Sequence, residues 1–303
     1  MKNFKYTPEV ADALAASKPV LAMESTIIAH GMPYPENLQF AQEAEALARS
    51  NGVVPATIAI LDGQVCIGLD EKQLEQLATD KSVGKVATRE IGLTLGKKGN
   101  GATTVSATMR LSYLSGIKVF ATGGIGGVHR GAENDLDISA DLIELSSTPV
   151  VVVSAGAKAI LDLPKTLEYL ETMSVPVIGY RTNDFPAFYS RASSLTIPVR
   201  LDTALEIATT FTHQAQLGIS SGVLIANPVP EAFDIPYDEM DDVIKVALGD
   251  AQTAGIKGKQ LTPFLLGRIV ELTGGRSLET NRALAMNNVQ LGAEIASSLA
   301  ELT

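Results

Sequence analysis

Residues Val119–Lys158 read VFATGGIGGVHRGAENDLDISADLIELSSTPVVVVSAGAK, and this stretch decides the fold. A short apolar strand ends at Thr122, and a glycine-rich turn, Gly123-Gly124-Ile125-Gly126-Gly127, follows it. His129 and Arg130 come next, then the carboxylates Glu133, Asp135, Asp137 and Asp141. A second apolar strand, Val150–Val153, runs out into Ser154-Ala155-Gly156-Ala157-Lys158. Two buried strands joined by a helical crossover make a βαβ unit, and such units build parallel sheets. Small residues at the strand ends let backbone approach a ligand closely, and loops there carry the sites of α/β proteins.

The pattern repeats outward. Thr7-Pro8-Glu9 opens a helix with an N-cap, Pro in the first turn and an acidic neighbour, expected to reach Ser17. Pro19–Met23 is a short buried strand, followed by Glu24-Ser25-Thr26 and His30-Gly31-Met32-Pro33. Glu36–Arg49 has helical spacing. Asp62-Gly63 between Ala56–Leu61 and Gln64–Gly68 signals a type I′ hairpin. Asp70–Ala78 reads as a helix, Lys85–Thr88 as a strand, Glu90–Leu95 as a short helix and Val105–Leu114 as a longer one. Between these last two lies a second glycine-rich piece, Gly96–Gly101. Asp162–Met173, Leu201–Leu217, Tyr237–Ala254, Thr262–Thr273 and Ser277–Leu299 read as helices, and Val175–Tyr180 and Val223–Ala226 as strands. Alternating strands and helices predict a three-layer α/β/α fold around a mainly parallel or mixed central sheet. With no repeat and no linker, residues 1–303 are expected to form a single domain.

The chain has 303 residues, is 46% hydrophobic and carries a net charge of −10, so it has core enough and is not a general nucleic-acid or anionic-membrane binder. An anionic ligand would need a local basic cluster. The single Cys66 excludes an internal disulfide, and its hairpin strand makes it a core candidate. With no signal peptide and no membrane-span-length apolar run, a cytoplasmic protein is the expectation.

Lys158 is the only ionisable residue between Glu144 and Asp162 and stands just past a strand of four valines. Apolar surroundings favour the neutral amine, which makes it a candidate nucleophile; the alternative is a strand-end lysine pointing at solvent. Glu24 follows a buried strand without a turn, which suits a general acid or, equally, a helix-capping carboxylate. The Glu133–Asp141 group offers hard oxygen ligands for Mg²⁺ or Mn²⁺, or a solvated acidic surface. The glycine runs match neither named phosphate motif, but a nest of backbone N–H groups with a helix N-terminus near Ser139 could hold a phosphate. Lys85, Arg89, His129 and Arg130 are the cations to recruit. His30 is placed to share a pocket with Glu24, whereas His213, mid-helix, reads as structural, and no Ser/His/Asp arrangement stands out.

Seven segments together resemble one family: MESTIIAHGMPYPEN (23–37), GNGATTVSATM (99–109), FATGGIGGVHRGAE (120–133), DISADL (137–142), SAGAKAILDLPKTLEYLET (154–172), GYRTNDFPAFYSR (179–191) and GRSLETNRALAMNN (275–288). These are similar to segments of the pseudouridine-5′-phosphate glycosidases, over nearly the whole chain. The resemblance implies an α/β/α protein, usually a homotrimer, that requires a divalent metal, typically Mn²⁺. It implies reversible cleavage of the C–C glycosidic bond of pseudouridine 5′-phosphate to uracil and ribose 5-phosphate. It further implies Lys158 as Schiff-base nucleophile, Glu24 as proton donor and Asp137 as metal ligand. Lys85, Val105, Ser139, Ala140 and Asp141 would contact substrate, with His129 and Asn281 in the pocket and Asn281 on the base. Competing readings are a related lyase acting on another base or a pigment precursor, the indigoidine-synthesis A protein being similar, and a non-catalytic sugar-phosphate sensor. A nucleotide-dependent sugar kinase lacks a recognisable ATP motif.

Overall fold

The computed structural model describes residues 4–256 and 261–302. One sheet of eleven strands runs through the described residues: β1 (Phe4–Tyr6), β2 (Val20–Met23), β3 (Val54–Leu61), β4 (Gln64–Ile67), β5 (Gly84–Val86), β6 (Gly101–Thr103), β7 (Val119–Ala121), β8 (Val151–Ser154), β9 (Val177–Tyr180), β10 (Val199–Leu201) and β11 (Val223–Ala226). The order is β1-β4-β3-β2-β7-β8-β11-β9-β10, with β6 also paired to β3 and β5 to β6. Pairing is parallel except β3 with β4 and β3 with β6, so the sheet is mixed and mainly parallel, as the βαβ reading requires.

The central strands are short apolar runs because both faces are covered. Every residue of β2, β7, β8 and β11 is buried. The helix Arg276–Glu301 packs on β2, β7 and β8, flanked by helices Glu36–Ser50 and Ala204–Gln216. The helix Val105–Ser115, with Ala140–Leu145 beside it, supplies a further layer on β2, β3 and β7. Gly292 lets the long helix lie close to the sheet: a Cβ there would stand 2.9 Å from Leu21 Cδ1.

Local signals act as expected. Thr7 Oγ1 accepts the Val10 N–H at 3.4 Å, and Asp162 Oδ1 accepts the Lys165 N–H at 3.1 Å. Asp62 and Gly63 both have positive φ, 51° and 70°, the requirement of a type I′ turn. Cys66 is buried in β4. His213 is exposed near the end of its helix.

Several elements differ from the sequence reading. The expected strand Lys85–Thr88 is β5, Gly84–Val86, because the Ala87 N–H and the Glu90 carboxylate close the start of a helix running Thr88–Gly96. The expected helix start at Leu201 is the end of edge strand β10; the helix begins at Ala204, capped reciprocally by Thr203 and Glu206. Three-residue strands β1, β6 and β10 are too short to carry a periodic signal.

Among the described residues, no helix is long and apolar enough to cross a membrane.

Candidate active site

After β2 the chain moves to β3 on one side, and after β7 to β8 on the other. The carboxyl ends of β2 and β7 therefore flank a topological switch point, where open α/β sheets form their crevices. Glu24 leaves β2 there and Thr122 leaves β7. A cleft of about 870 Å³, open solvent at its mouth included, lies over these ends. That is within the ordinary range for a small-molecule site.

Glu24 is 8% exposed and gripped from both sides. The Thr122 hydroxyl donates to Glu24 Oε1 and the Thr26 hydroxyl donates to Oε2. Behind it, Ser25 Oγ donates to the Ile58 carbonyl at 2.7 Å and accepts the Thr103 N–H at 2.9 Å. The carboxylate therefore projects from backbone locked to two neighbouring strands.

Lys158 faces the same cleft. Its position follows from the end of β8. Gly156 has φ +80°, and a Cβ there would fall 2.2 Å from the Pro186 carbonyl oxygen. The glycine turn is laced to this strand end. Ala155 N–H donates to the Gly123 carbonyl at 2.9 Å, Ile125 N–H to the Gly156 carbonyl at 3.1 Å, and Lys158 N–H to the Ile125 carbonyl at 3.0 Å.

Lys85, His30, Gly124, Phe188 and Asn281 also line the cleft. Loss of hydration, and then the nearby charge of Lys85, push the His30 imidazole below its ordinary value. Lys85 and Lys158 on one cleft supply the local positive charge that an acidic chain needs for an anionic ligand. Asn281 is 9% exposed, and its Oδ1 is buried without a hydrogen-bond partner. An orphaned acceptor in a cleft wall fits a ligand N–H.

The structure brings Glu24, Lys85, Lys158 and Asn281 together; Val105, His129, Asp137, Ser139, Ala140 and Asp141 stand off the cleft wall. They cluster around the glycine turn. Asp141, 6% exposed, accepts the Ser106 N–H on Oδ1 at 2.9 Å and the Gly126 N–H on Oδ2 at 2.8 Å. Its carboxylate thereby ties the start of helix Val105–Ser115 to the turn. Val105 is the first residue of that helix and is 1% exposed. Ser139 caps helix Ala140–Leu145, its Oγ accepting the Asp141 N–H at 3.3 Å. Asp137 Oδ2 lies 3.9 Å from His129 Nδ1, with the Asp137 side chain 45% exposed.

Two of the recruited cations are engaged elsewhere. Arg89 pairs with Glu90 at 2.7 Å and Arg130 with Asp241 at 3.0 Å. Sequence reading missed Thr26, Thr122 and Phe188. Thr122 directly follows β7 and Thr26 opens the short helix after Glu24-Ser25, positions that could have marked them. Phe188 has φ +62°, a left-handed backbone that no residue type announces.

A family model described as indigoidine synthase A like protein matches residues 9–298. The pseudouridine-5′-phosphate glycosidase of Solibacter usitatus is 56% identical over 297 residues, covering 98% of this chain and 99% of the relative. That of Deinococcus radiodurans is 55% identical over 295 residues, covering 97% and 94%. The crystal structure of the prealnumycin C-glycosynthase AlnA in complex with ribulose 5-phosphate superposes with a TM-score of 0.93 at 35% identity, covering 100% of this chain and 98% of that one. An indigoidine synthase A-like protein from Thermotoga maritima gives 0.90 at 39% identity, covering 98% and 96%. The chain belongs to the indigoidine synthase A-like family of enzymes, the family of the pseudouridine-5′-phosphate glycosidases.

Proposed function

We propose that this protein is a pseudouridine-5′-phosphate glycosidase, cleaving its substrate reversibly to uracil and ribose 5-phosphate through a lysine Schiff base. The observation that carries the reading is Lys158 and the doubly gripped Glu24 facing one cleft at the switch point. A carbon leaving group suits the usual two-carboxylate route through an oxocarbenium ion poorly. A covalent amine route avoids that cation. Glu24 gives its proton to the ribose ring oxygen as the bond from that oxygen to the anomeric carbon opens. The Lys158 amine takes the anomeric carbon and loses a proton. The bond to uracil then breaks, uracil leaves with a proton on its ring carbon, and the sugar remains on Lys158 as an imine. Water hydrolyses the imine to ribose 5-phosphate.

Asn281 Oδ1 accepts an N–H of the base in this reading. The phosphate lies between Lys85 and the start of helix Val105–Ser115. The Thr104 N–H donates to the Val86 carbonyl at 2.9 Å, which holds β5 and its lysine beside that helix N-terminus. A helix N-terminus favours anions. His129, Ser139, Ala140 and Asp141 support this wall, Asp141 by holding the Ser106 and Gly126 backbone.

Asp137, a solvent-facing carboxylate with the His129 imidazole near it, suits a hydrated divalent ion held by one or two protein ligands. No larger cluster of His, Cys, Asp and Glu able to hold a metal occurs among the described residues. Mn²⁺ bound there would stabilise negative charge developing on the base or order water near it. A homotrimer in the cytoplasm completes the proposal.

The test is uracil release from pseudouridine 5′-phosphate with Mn²⁺. Borohydride added during turnover should fix the sugar on Lys158, read by mass spectrometry. Lys158→Ala should lose both adduct and turnover, and so should Lys158→Arg, whose guanidinium stays protonated. Glu24→Ala should fail on the nucleotide yet still trap open-chain ribose 5-phosphate. Excess chelator should stop turnover. An adduct on another lysine, or near-normal cleavage by Lys158→Ala, would overturn the Schiff-base assignment.

A further inference from the structure

The short helix Ala140–Leu145 carries two buried carboxylates, Asp141 and Glu144, 6% and 4% exposed. Residues three apart are neighbours on a helix surface. A carboxylate buried this deeply persists only where opposite charge and hydrogen bonds meet it. Asp141 takes the Ser106 and Gly126 backbone N–H groups. Glu144 takes side chains instead. Arg110 of helix Val105–Ser115 holds its Nε 2.8 Å from Glu144 Oε1, and the Thr148 hydroxyl donates to the same oxygen. The Thr88 hydroxyl donates to Oε2 at 2.8 Å.

Each carboxylate leads to one lysine of the cleft. Thr88 opens helix Thr88–Gly96 and stands three residues after Lys85. Lys85 lies on β5, a three-residue strand that pairs with β6 alone among the described strands. A strand so short, with one neighbour, has few hydrogen bonds of its own to hold it. Its junction with the following helix supplies more. The Thr104 N–H donates to the Val86 carbonyl at 2.9 Å, the Thr88 N–H to Ser106 Oγ at 3.4 Å, and the Thr88 hydroxyl to Glu144. On the other side, Gly126 adjoins Ile125, whose carbonyl accepts the Lys158 N–H at 3.0 Å. One short helix therefore holds the Lys85 segment through Glu144 and the Lys158 segment through Asp141.

We propose that Glu144 is a positioning residue that acts through Thr88 to set the span between Lys85 and Lys158. The inference rests on the glycosidase reading for what the two lysines do. Lys158 takes the anomeric carbon and Lys85 the 5′-phosphate, the two ends of one sugar phosphate. The span between them then decides whether a phosphate held at Lys85 leaves the anomeric carbon within reach of the amine. Neither Glu144 nor Thr88 lines the cleft, so neither touches the substrate. A sugar without a phosphate is not held at Lys85, and the span does not affect it.

Thr88→Val removes the hydroxyl with little change of shape and leaves Glu144 paired with Arg110 and Thr148. Borohydride trapping of sugar on Lys158 is the readout, and it needs no uracil. At equal borohydride, the trapping rate with ribose 5-phosphate should fall about tenfold in Thr88→Val, less than the 10²-fold of a 1 Å misplacement. Trapping of unphosphorylated ribose, at high concentration, should keep the wild-type rate. Thr88→Ser should restore the ribose 5-phosphate rate. Glu144→Gln should show the same split between the two sugars, with a lower Tm because the Arg110 charge loses its partner. In Lys85→Met the ribose 5-phosphate rate is already reduced, and adding Thr88→Val should lose nothing more, because the two changes remove one interaction.

A damaged fold would slow both sugars together. If the wild type traps ribose 5-phosphate but releases no uracil, the glycosidase reading falls, while the comparison of sugars still decides the role of Glu144. Equal losses for the two sugars in Thr88→Val, or an unchanged ribose 5-phosphate rate, would overturn that role. So would additive losses when Thr88→Val is combined with Lys85→Met, or the absence of any adduct in the wild type.

Discussion

The molecule has two glycine-rich turns, and they are built for different purposes. In the first, Gly96–Gly101, a Cβ on Gly96 would meet nothing within 4 Å, and one on Gly99 would meet Thr94 at an ordinary 3.7 Å. Only Gly101 is crowded, by Val86 at 2.3 Å. In the second, a Cβ on Gly124 would stand 2.5 Å from Phe188 Cδ2, one on Gly126 2.2 Å from Ser139 Oγ, and one on Gly127 2.4 Å from Thr166 Oγ1. The first turn uses glycine to end a helix. The second uses glycine because Phe188, Ser139 and Thr166 occupy the space where side chains would be. Glycine content alone does not separate the two; the atoms opposite each glycine do.

The largest expected effect follows from Gly124. Phe188 is 3% exposed and stacked edge-on against Tyr189, ring centroids 4.7 Å apart, with the cleft on its other side. Gly124→Ala must push that ring into the cleft or displace the turn. Overpacking of this kind costs about 1–3 kcal/mol. The turn also carries the Ile125 carbonyl that accepts the Lys158 N–H. A shift of about 1 Å in a reacting group costs on the order of 10²-fold in rate. We expect kcat/KM to fall by that factor and borohydride trapping to fall with it, beyond what the Tm loss accounts for. Wild-type kinetics in Gly124→Ala would remove the distinction between the turns.

The sheet and its crossover helices were legible in the sequence because Val20–Met23, Val119–Ala121, Val151–Ser154 and Val223–Ala226 are apolar on both faces and bounded by turn formers. Lys158 was legible for a related reason: a lone charge after four valines stands out against its surroundings. The partners of Glu24 were not. Thr26 is near in sequence, but Thr122 meets Glu24 only because β2 and β7 are neighbours in the sheet. Asp141 shows the opposite limit. As one of four carboxylates in a short acidic stretch it reads as a ligand, yet both its oxygens hold backbone N–H groups. Chemistry set by residue type survives in a sequence; chemistry set by strand order does not.

Asp141 offers the next way to sharpen the comparison. In the second turn, Asp141 takes two backbone N–H groups, whereas the first turn is pinned by the neutral Asn100, whose Oδ1 accepts the Asp62 N–H at 2.8 Å. Asp141→Asn keeps the shape but leaves one acceptor, with an amide NH₂ facing the other N–H donor. A buried donor left unsatisfied costs about 1–3 kcal/mol. Urea unfolding should show a lower midpoint with unchanged m. Asn100→Ala, at a partly exposed site, should cost less. Equal losses in the two variants would mean that the second turn owes no special rigidity to its carboxylate.

The smallest effect is expected at Gly96, and its sign carries the argument. Gly96 is the last residue of helix Thr88–Gly96, is exposed, and lies outside the positive-φ positions. Nothing opposes a methyl group there. Alanine exceeds glycine by about 1 kcal/mol in a helix interior, and less at a frayed last turn. Gly96→Ala should therefore raise stability by about 0.5 kcal/mol, chiefly by restricting the unfolded chain, with kcat and KM unchanged. Matched urea titrations of Gly96→Ala and Gly124→Ala put the two turns on one scale. A gain at the first and a loss at the second follow from the space opposite each glycine. A loss at both would mean that the first turn is also held by contacts that require glycine, and that the open space around Gly96 is not what sets its residue type.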